Sequence, residues 1–300
     1  ESYWISIGMH LRCPSIRLIA PLLGLLVLTA NVYAGMTASE VKAFEGIKYM
    51  AEDGDVTSQD KLGFCYAKGS GVGKNYVEAV KWFRKAAEQG LASAQYNLGY
   101  GYAYGLGVEI DKAEAVKWYR KAAEQGEMNG QANLGVCYEY GQGVAENKVE
   151  AVKWYRLAAE QGQVDAQFKL GSMYYGGTTG VPHDEKEAAK WYRLAAEQGH
   201  TDAQINLGYL YANGEGVPKD YAEAVKWYRL AAEQNEPTAQ RNLGTCYWDG
   251  RGVATNHTEA VKWYRLAAEQ GDAAGQANLG LMYVLGKGVP RDDQEAVNWY

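Results

Sequence analysis

The sequence has little of the chemistry that enzymes, metalloproteins and nucleotide-binding proteins require. Its 300 residues include only four histidines and four cysteines, and no histidine has a second metal ligand at helical or loop spacing. The nearest approach to a phosphate-binding loop runs from Gly71 to Asn75, where Lys74 is not followed by serine or threonine. No nucleophile has a neighbouring base. We therefore expect no catalytic residues, no metal and no cofactor.

Basic residues are also too few, and too mixed with acidic ones, for a nucleic-acid-binding protein. The chain has 30 lysines and arginines against 36 acidic residues, a net charge of −6. Binding to a phosphate backbone requires a basic stripe that displaces counterions, and none is present. We expect no nucleic-acid partner.

Long apolar runs are missing as well, apart from a short one near the N-terminus. Arg12 and Arg17 precede an apolar run of 11 residues at 18–28, and small residues lead to a cleavage site after Ala34. This order is typical of a secretory signal peptide, because a membrane span needs about 20 apolar residues. We assign residues 1–34 to upstream residues and a signal peptide, and predict a secreted or periplasmic protein without an integral membrane domain after cleavage. An uncleaved anchor is the alternative.

What the sequence does contain is one unit repeated along most of its length. Tryptophans recur at spacings of 36 or 37 residues, together with their surroundings: Trp82, Trp118, Trp154, Trp191, Trp227, Trp263 and Trp299. A fixed period of this length indicates stacked supersecondary units and not one globular core. We predict that residues 55–300 form seven repeats, the last truncated, preceded by a capping helix at 35–54.

The second half of each repeat has the pattern of an amphipathic helix with marked ends. In the second repeat the apolar residues fall at i, i+1, i+3, i+4, i+7 and i+8 from Ala115. Asp111 and Glu114 form a capping-box pair at its start, in which each side chain can bond the other residue's backbone N–H. Gly126 follows its end, where a left-handed residue is favoured, and Asn235 replaces glycine in the fifth repeat.

The first half of each repeat predicts a helix at about 92–103 that contains a glycine. Gly99 costs about 1 kcal/mol relative to alanine in a helix, yet it recurs in every repeat. We expect a backbone or ring to pack closely against it, and predict that Trp118 or its counterpart is that ring.

These features resemble one known family. The run A-V-K-W-Y-R-L-A-A-E-Q-G at 151–162, with A-Q-F-K-L-G at 166–171 and G-V at 180–181, is similar to the Sel1-like repeat, a relative of the tetratricopeptide repeats. The resemblance covers residues 40–300. It implies an all-α, right-handed superhelical solenoid of antiparallel helix pairs that serves as an adaptor in protein complexes.

The cysteines differ from those of a cysteine-rich branch of this family, whose repeats each hold a bridged pair. Cys65, Cys137 and Cys246 occupy one position in three non-adjacent repeats, about 20–30 Å apart by helix packing distances, whereas a disulfide needs Cα atoms within about 7 Å. We expect core cysteines and no disulfide. The penicillin-binding and β-lactamase activities linked to that branch are therefore not carried over.

Binding residues are sought where the repeats differ. On the first helix the variable positions 96, 100 and 103, and their equivalents, share a face that the family places on the concave wall. Aromatic and arginine side chains of this kind dominate protein interfaces. The candidate residues are Tyr96, Tyr100, Phe168, Tyr175, Tyr209, Arg241 and Trp248.

The leading hypothesis is an exported scaffold that binds a protein or peptide partner in this groove. The alternatives are a binder of cell-wall glycans, whose sugar rings would stack on the same aromatics, and an enzyme of the β-lactamase or penicillin-binding kind. Several of the rings could instead pack between repeats, and the oligomeric state is left open.

Overall fold

The computed structural model describes residues 36–300, so the predicted signal peptide lies outside the described residues. The described part consists of 15 α-helices joined by short loops, with one isolated β-bridge between Thr178 and Val181. The helices are α1 Ala38–Glu52, α2 Val56–Lys68, α3 Tyr76–Glu88, α4 Ala92–Tyr104, α5 Lys112–Glu124, α6 Met128–Tyr140, α7 Lys148–Glu160, α8 Val164–Gly176, α9 Glu185–Glu197, α10 Thr201–Asn213, α11 Tyr221–Glu233, α12 Pro237–Asp249, α13 His257–Glu269, α14 Ala273–Leu285 and α15 Asp293–Trp299.

These helices form the predicted antiparallel pairs. Each even-numbered helix from α2 to α14 is the first helix of a repeat, and the following helix is its second. Each helix packs on the helices before and after it in the chain, so the core runs as a series of clusters along a right-handed superhelical solenoid. Such an architecture depends on contacts between neighbouring repeats, because one helix pair cannot bury its own apolar stripe.

The predicted stripe and end of the second helix are confirmed. In α5 the buried residues are Ala115, Val116, Trp118, Tyr119, Ala122 and Ala123. Gly126 follows the helix with a φ of 84°, and Asn235 takes the same left-handed conformation with a φ of 66°. Asparagine tolerates this region better than other residues with a side chain.

The capping box at the start of the second helix is only half formed. Asp111 accepts a hydrogen bond from the backbone N–H of Glu114, as predicted. The backbone N–H of Asp111 donates instead to the carbonyl of Tyr102, and Glu114 pairs with Lys117 at 2.7 Å. The side chain of Glu114 therefore finds no free N–H at Asp111 from which to accept the reciprocal hydrogen bond. Among residues 36–300 the complete box occurs at Thr37 and Glu40, which begin α1.

An aromatic ring does lie against the glycine of each first helix, but it is not the tryptophan. A Cβ on Gly99 would come within 2.8 Å of the ring of Tyr119, the residue after Trp118. Trp118 belongs instead to the buried cluster that contains Phe83 of the preceding repeat and Leu98 of its own repeat. The prediction of close ring packing is confirmed and its assignment to Trp118 is wrong. Tyr119 faces its own first helix, whereas Trp118 lies about 100° away around the second helix.

Buried glutamines connect each repeat to the one before it. Gln95 in α4 donates to the carbonyl of Ala87, in the last turn of the preceding second helix, at 3.2 Å. Its own side-chain oxygen accepts from Gln125, at the end of α5, at 2.7 Å. The equivalent buried glutamines are Gln59, Gln131, Gln167, Gln204 and Gln240. Both ends of each buried amide are therefore satisfied, as burial of a polar group requires.

An arginine–tyrosine pair makes a second connection between repeats. Arg84 in α3 donates to the hydroxyl of Tyr102 in α4 at 2.7 Å, with its guanidinium 5.5 Å from the ring centroid. The same pair recurs at each of the next junctions: Arg120–Tyr138, Arg156–Tyr174, Arg193–Tyr211, Arg229–Tyr247 and Arg265–Tyr283. The glutamine and arginine contacts fix how each repeat is placed on its neighbour.

The loops between first and second helices lie on the preceding repeat. Gly107 has a φ of 76°, and a Cβ there would overlap the carbonyl oxygen of Tyr76 at the start of α3. The extra residue of the fourth repeat is confined to its loop, which closes through the bridge between Thr178 and Val181. Among the described helices, none is both long enough and apolar enough to cross a bilayer.

Candidate functional site

The surface that the first helices expose is not the predicted stripe of positions 96, 100 and 103. Tyr104 and Tyr140, the last residues of α4 and α6, are 55% and 51% exposed, and Tyr209 in α10 is 45% exposed. These residues occupy positions equivalent to 100 and 104. We call the surface made by positions 100 and 104 and their equivalents the first-helix face.

Position 96 and its equivalents lie between repeats instead. Tyr96 is 7% exposed, with its ring centroid 6.0 Å from that of Tyr119. Burial raises the pKa of the Tyr96 phenol far above its ordinary value. Of the predicted binding residues, Tyr96 therefore offers almost no surface to a partner. The Tyr96 side chain points toward Tyr119 of the second helix and toward the start of the first helix of the next repeat.

Phe168 and Arg241, at the same position in later repeats, show the same placement. Phe168 stacks on His200, the N-cap of α10, with centroids 4.4 Å apart. Arg241 forms an ion pair with Asp272, the N-cap of α14, at 3.2 Å. Both are half-buried and connect one first helix with the next.

Tyr175 and Trp248, at position 103, reach toward the loop of the following repeat. The hydroxyl of Tyr175 donates to Glu215 at 3.0 Å, and its ring meets that of Tyr209 edge-on at 6.5 Å. Trp248 lies 4.5 Å from the His257 ring, and the Lys287 ammonium lies 5.2 Å from its centroid. These rings are half-buried and border the first-helix face.

The second repeat presents the aromatic centre of this face. Tyr100 is half-buried, and its ring centroid lies 4.4 Å from that of Tyr104. The Lys112 ammonium lies 5.1 Å from the Tyr104 ring. The sequence prediction included Tyr100 and missed Tyr104, because the helix was expected to end one residue earlier and its final turn was not counted in the stripe.

The third and fourth repeats are joined through Tyr140. Lys169 in α8 donates to the Tyr140 hydroxyl at 2.8 Å and pairs with Glu139 at 3.6 Å. Tyr155 also donates to Glu139, at 2.6 Å. Tyr140 was missed for the same reason as Tyr104. Contacts of this kind between consecutive first helices make the first-helix face continuous from one repeat to the next.

The cysteines of the described residues are buried or half-buried. Burial raises the pKa of the Cys137 and Cys246 thiols to about 11, so both are protonated near neutral pH and are weak nucleophiles. These two cysteines and Cys65 are free thiols, as predicted. Within residues 36–300, no three histidine, cysteine or acidic side chains are grouped as a metal site.

Comparison with known proteins gives a consistent result. The model of the Sel1 repeat matches residues 56–91, 92–127, 129–163, 164–200, 201–236, 237–272 and 273–300. Among curated proteins, none matches the chain. Two solved structures are similar across 86% of the chain. The protective antigen c5321 of uropathogenic Escherichia coli, which displays an SLR fold, is 40% identical with a TM-score of 0.81.

The second is a Sel1 repeat protein from Oxalobacter formigenes, which is 37% identical with a TM-score of 0.66. The chain spans 55% of the length of the E. coli antigen and 74% of the Oxalobacter protein. Seven matched repeats and two similar structures agree with the geometry of the helix pairs. The chain belongs to the Sel1 repeat family.

Proposed function

We propose that this protein is an exported scaffold that binds a protein or peptide partner on its first-helix face. Members of the Sel1 repeat family generally act as protein–protein interaction scaffolds. The observation that carries the proposal for this chain is the set of exposed rings on three first helices, Tyr104 in α4, Tyr140 in α6 and Tyr209 in α10. Tyrosine buries a large area for little loss of side-chain entropy, so exposed tyrosines favour a binding surface.

The arrangement of the first helices indicates which side of the molecule forms the groove. First helices of consecutive repeats contact each other directly, as Lys169 does with Tyr140 and Tyr175 with Tyr209. Helices on the inner side of a superhelix are the ones that approach each other most closely. This supports the first-helix face as the wall of the groove, with positions 100 and 104 pointing into it.

Export rests on the sequence of residues 1–34, with its two arginines, short apolar run and small residues before Gly35. Expression of the full chain with a C-terminal tag tests it. We expect the tagged protein in the cell envelope or the medium, with Gly35 as its N-terminal residue by mass spectrometry. Retention in the cytosol with an intact leader would overturn export while leaving the scaffold proposal in place.

The binding surface is tested by crosslinking capture from envelope extract. The bait is the purified protein, compared with the triple variant Tyr104→Ala, Tyr140→Ala and Tyr209→Ala. The control is Leu194→Ala with Leu230→Ala, which removes side chains of similar exposure from the second helices. We expect a partner that the control retains and the triple variant loses, while circular dichroism shows all three proteins folded.

The other outcomes discriminate between the alternatives. Loss of the captured partner only in the leucine variant would place the interface on the second helices. Binding of purified cell-wall glycan by the protein, lost in the tyrosine variant, would replace the protein partner with a glycan. Saturable hydrolysis of a β-lactam would show an enzyme, against the weak nucleophilicity of the buried thiols.

A further inference from the structure

Three consecutive second helices carry a leucine in the middle of their exposed side. Leu157 in α7, Leu194 in α9 and Leu230 in α11 are 44%, 38% and 39% exposed. Each leucine lies four residues after an exposed lysine and three residues before an exposed glutamate, and residues at these spacings share one side of a helix. The leucines therefore lie on the side that faces away from the core, where an amphipathic helix carries polar residues. We call these three residues the leucine strip.

Folding does not require leucine at this position. The first two repeats hold Lys85 and Lys121 there. The Lys85 ammonium lies 3.9 Å from the ring centroid of Trp82, and the Lys121 ammonium lies 4.1 Å from that of Trp118. The apolar stem of a lysine can thus cover the tryptophan of its own helix while the charge stays in water. The leucine strip is an exposed apolar feature that the packing of the repeats does not explain.

The sixth repeat shows that the leucine position and its charged neighbours meet at one surface. A recess of about 370 Å³ lies between α13 and the loop that follows α14. Val261, Leu266 and Val289 contribute its apolar lining, and Lys262 and Glu269 line it as well. Lysine, leucine and glutamate at these three positions of a second helix therefore border the same outer surface.

Rows of opposite charge run along the two sides of the leucine strip. The lysine row consists of Lys153, Lys190 and Lys226, and the glutamate row consists of Glu160, Glu197 and Glu233. Each lysine pairs with a glutamate three residues earlier in its own helix, an exposed contact that contributes little to stability. The glutamate row makes no ion pair within residues 36–300. A positive row, an apolar strip and a negative row are complementary to a copy of themselves turned by half a rotation about the strip.

We propose that the leucine strip is covered by a second copy of this chain. A two-fold axis along the strip brings each leucine against its counterpart and sets the facing second helices antiparallel. It also places Lys190 against Glu197 of the other copy, and Lys226 against Glu233 of the other copy. The opposite arrangement, with facing helices parallel, would set lysine against lysine and glutamate against glutamate, which opposes association. Two-fold dimers in which one patch meets itself are the commonest homo-oligomers.

The size of the leucine strip determines how strong this dimer can be. The strip crosses three helices that lie roughly 10 Å apart, and seven residues from the lysine row to the glutamate row span about 10 Å along each helix. Such a contact is smaller than the roughly 800 Å² per partner of a standard interface. We therefore expect a reversible dimer with a Kd on the order of 10 µM. Because it buries second helices only, it leaves both first-helix faces open and does not depend on the proposed function.

Sedimentation velocity of the purified protein from about 1 µM to about 200 µM tests the proposal. We expect monomers at the lowest concentration and mainly dimers at the highest. The variant with Leu157→Lys, Leu194→Lys and Leu230→Lys takes the residue that the first two repeats already hold at this position. It should fold as the protein does by circular dichroism and thermal unfolding, while its Kd for dimerisation rises at least tenfold.

The matched control places the same substitution on the other side of the solenoid. Leu281 in α14 is 40% exposed on the first-helix face, so Leu281→Lys makes the same chemical change at similar exposure. It should leave the dimerisation Kd unchanged. A dimer that Leu281→Lys abolishes and the triple lysine variant retains would place the contact on the first-helix face and overturn the proposal.

A charge exchange tests the antiparallel arrangement. Lys190→Glu with Lys226→Glu should raise the dimerisation Kd at least tenfold, because glutamate then faces glutamate. Adding Glu197→Lys and Glu233→Lys exchanges the two rows in both copies and should restore the original Kd. A Kd that neither pair of substitutions changes overturns the antiparallel arrangement. A protein that stays monomeric up to about 200 µM overturns the dimer, and its binding to phosphatidylcholine vesicles through the leucines would assign the strip to a bilayer instead.

Discussion

Two regions of the first helix carry opposite patterns of variation. On the side that meets its own second helix, a glycine lies beneath an aromatic ring in every repeat, from Gly63 under Phe83 to Gly280 beside Tyr300. On the exposed side, position 100 changes from tyrosine to valine, serine, threonine and leucine. The difference shows that the interface between helices is limited by close packing, whereas the first-helix face is free of that limit.

The largest expected effect contrasts two tyrosines, one from each region. Tyr119→Ala removes a fully buried ring and should lower the free energy of unfolding by about 4 kcal/mol, whereas the exposed Tyr104→Ala should change it by less than about 0.5 kcal/mol. Denaturant unfolding followed by circular dichroism measures both. Equal losses would mean that the first-helix face is part of the core and would remove the distinction.

Two glycines give the next comparison, because the same substitution should act with opposite sign. A Cβ on Gly171 would lie 2.7 Å from the Tyr192 ring, so Gly171→Ala should destabilise by about 2 kcal/mol. In the middle of α1, a Cβ on Gly46 would meet nothing within 4 Å, so Gly46→Ala should stabilise by about 0.5–1 kcal/mol. Thermal unfolding of both variants checks the signs. Stabilisation by Gly171→Ala would show that the ring is not held firmly against the helix.

The buried glutamines should show a smaller effect. Gln204→Leu removes two hydrogen bonds, one to the carbonyl of Ala196 and one from the side-chain amide of Gln234, and should cost about 1–2 kcal/mol. Gln234→Leu leaves the buried side-chain oxygen of Gln204 without its donor and should also cost about 1 kcal/mol. If neither substitution lowers the free energy of unfolding in denaturant, the glutamines do not connect the repeats as the hydrogen bonds indicate.

The sequence was sufficient for the features that depend on neighbours along the chain. The period, the second-helix stripe and the left-handed Asn235 all follow from local pattern. Contacts between distant residues were not predictable in this way. Trp118 and Tyr119 both lie on the apolar stripe, and only the packing of three helices decides that Tyr119 meets Gly99 while Trp118 meets the preceding repeat.

The exposed side of the first helix was predicted only in part for a similar reason. Tyr96 and Tyr104 are both tyrosines on one helix, and the 3.6-residue period does not show which of them the next repeat covers. The half-formed capping box has the same origin. The Asp111 N–H donates to the Tyr102 carbonyl on a different helix, a partner that the local motif cannot include.

The smallest expected effect depends on pH and concerns the one first helix in which an acid takes the place of Tyr96. Asp60 is buried and accepts hydrogen bonds from Ser93 at 2.8 Å and from Asn97 at 3.1 Å. Burial nevertheless raises the pKa of this carboxyl above its ordinary value. The folded state therefore holds the proton more tightly than the unfolded state. The stability from this group is fully present below the unfolded pKa and is lost as pH rises through the folded one.

Asp60→Asn imitates the protonated side chain, so we expect this variant to be more stable than the protein itself at pH 7, with the difference closing toward pH 4. Asp55→Asn provides a matched control with the opposite sign, because hydrogen bonds from Ser58 lower the pKa of Asp55. Its carboxylate contributes stability above the unfolded pKa, so Asp55→Asn should be the less stable protein at pH 7. Urea unfolding at pH 4 and pH 7 measures both differences. Lower stability of Asp60→Asn at pH 7 would mean that the bonds from Ser93 and Asn97 outweigh the burial of the charge. The first junction between repeats would then be held by an ionised carboxylate, where the corresponding position of the second repeat uses the ring of Tyr96.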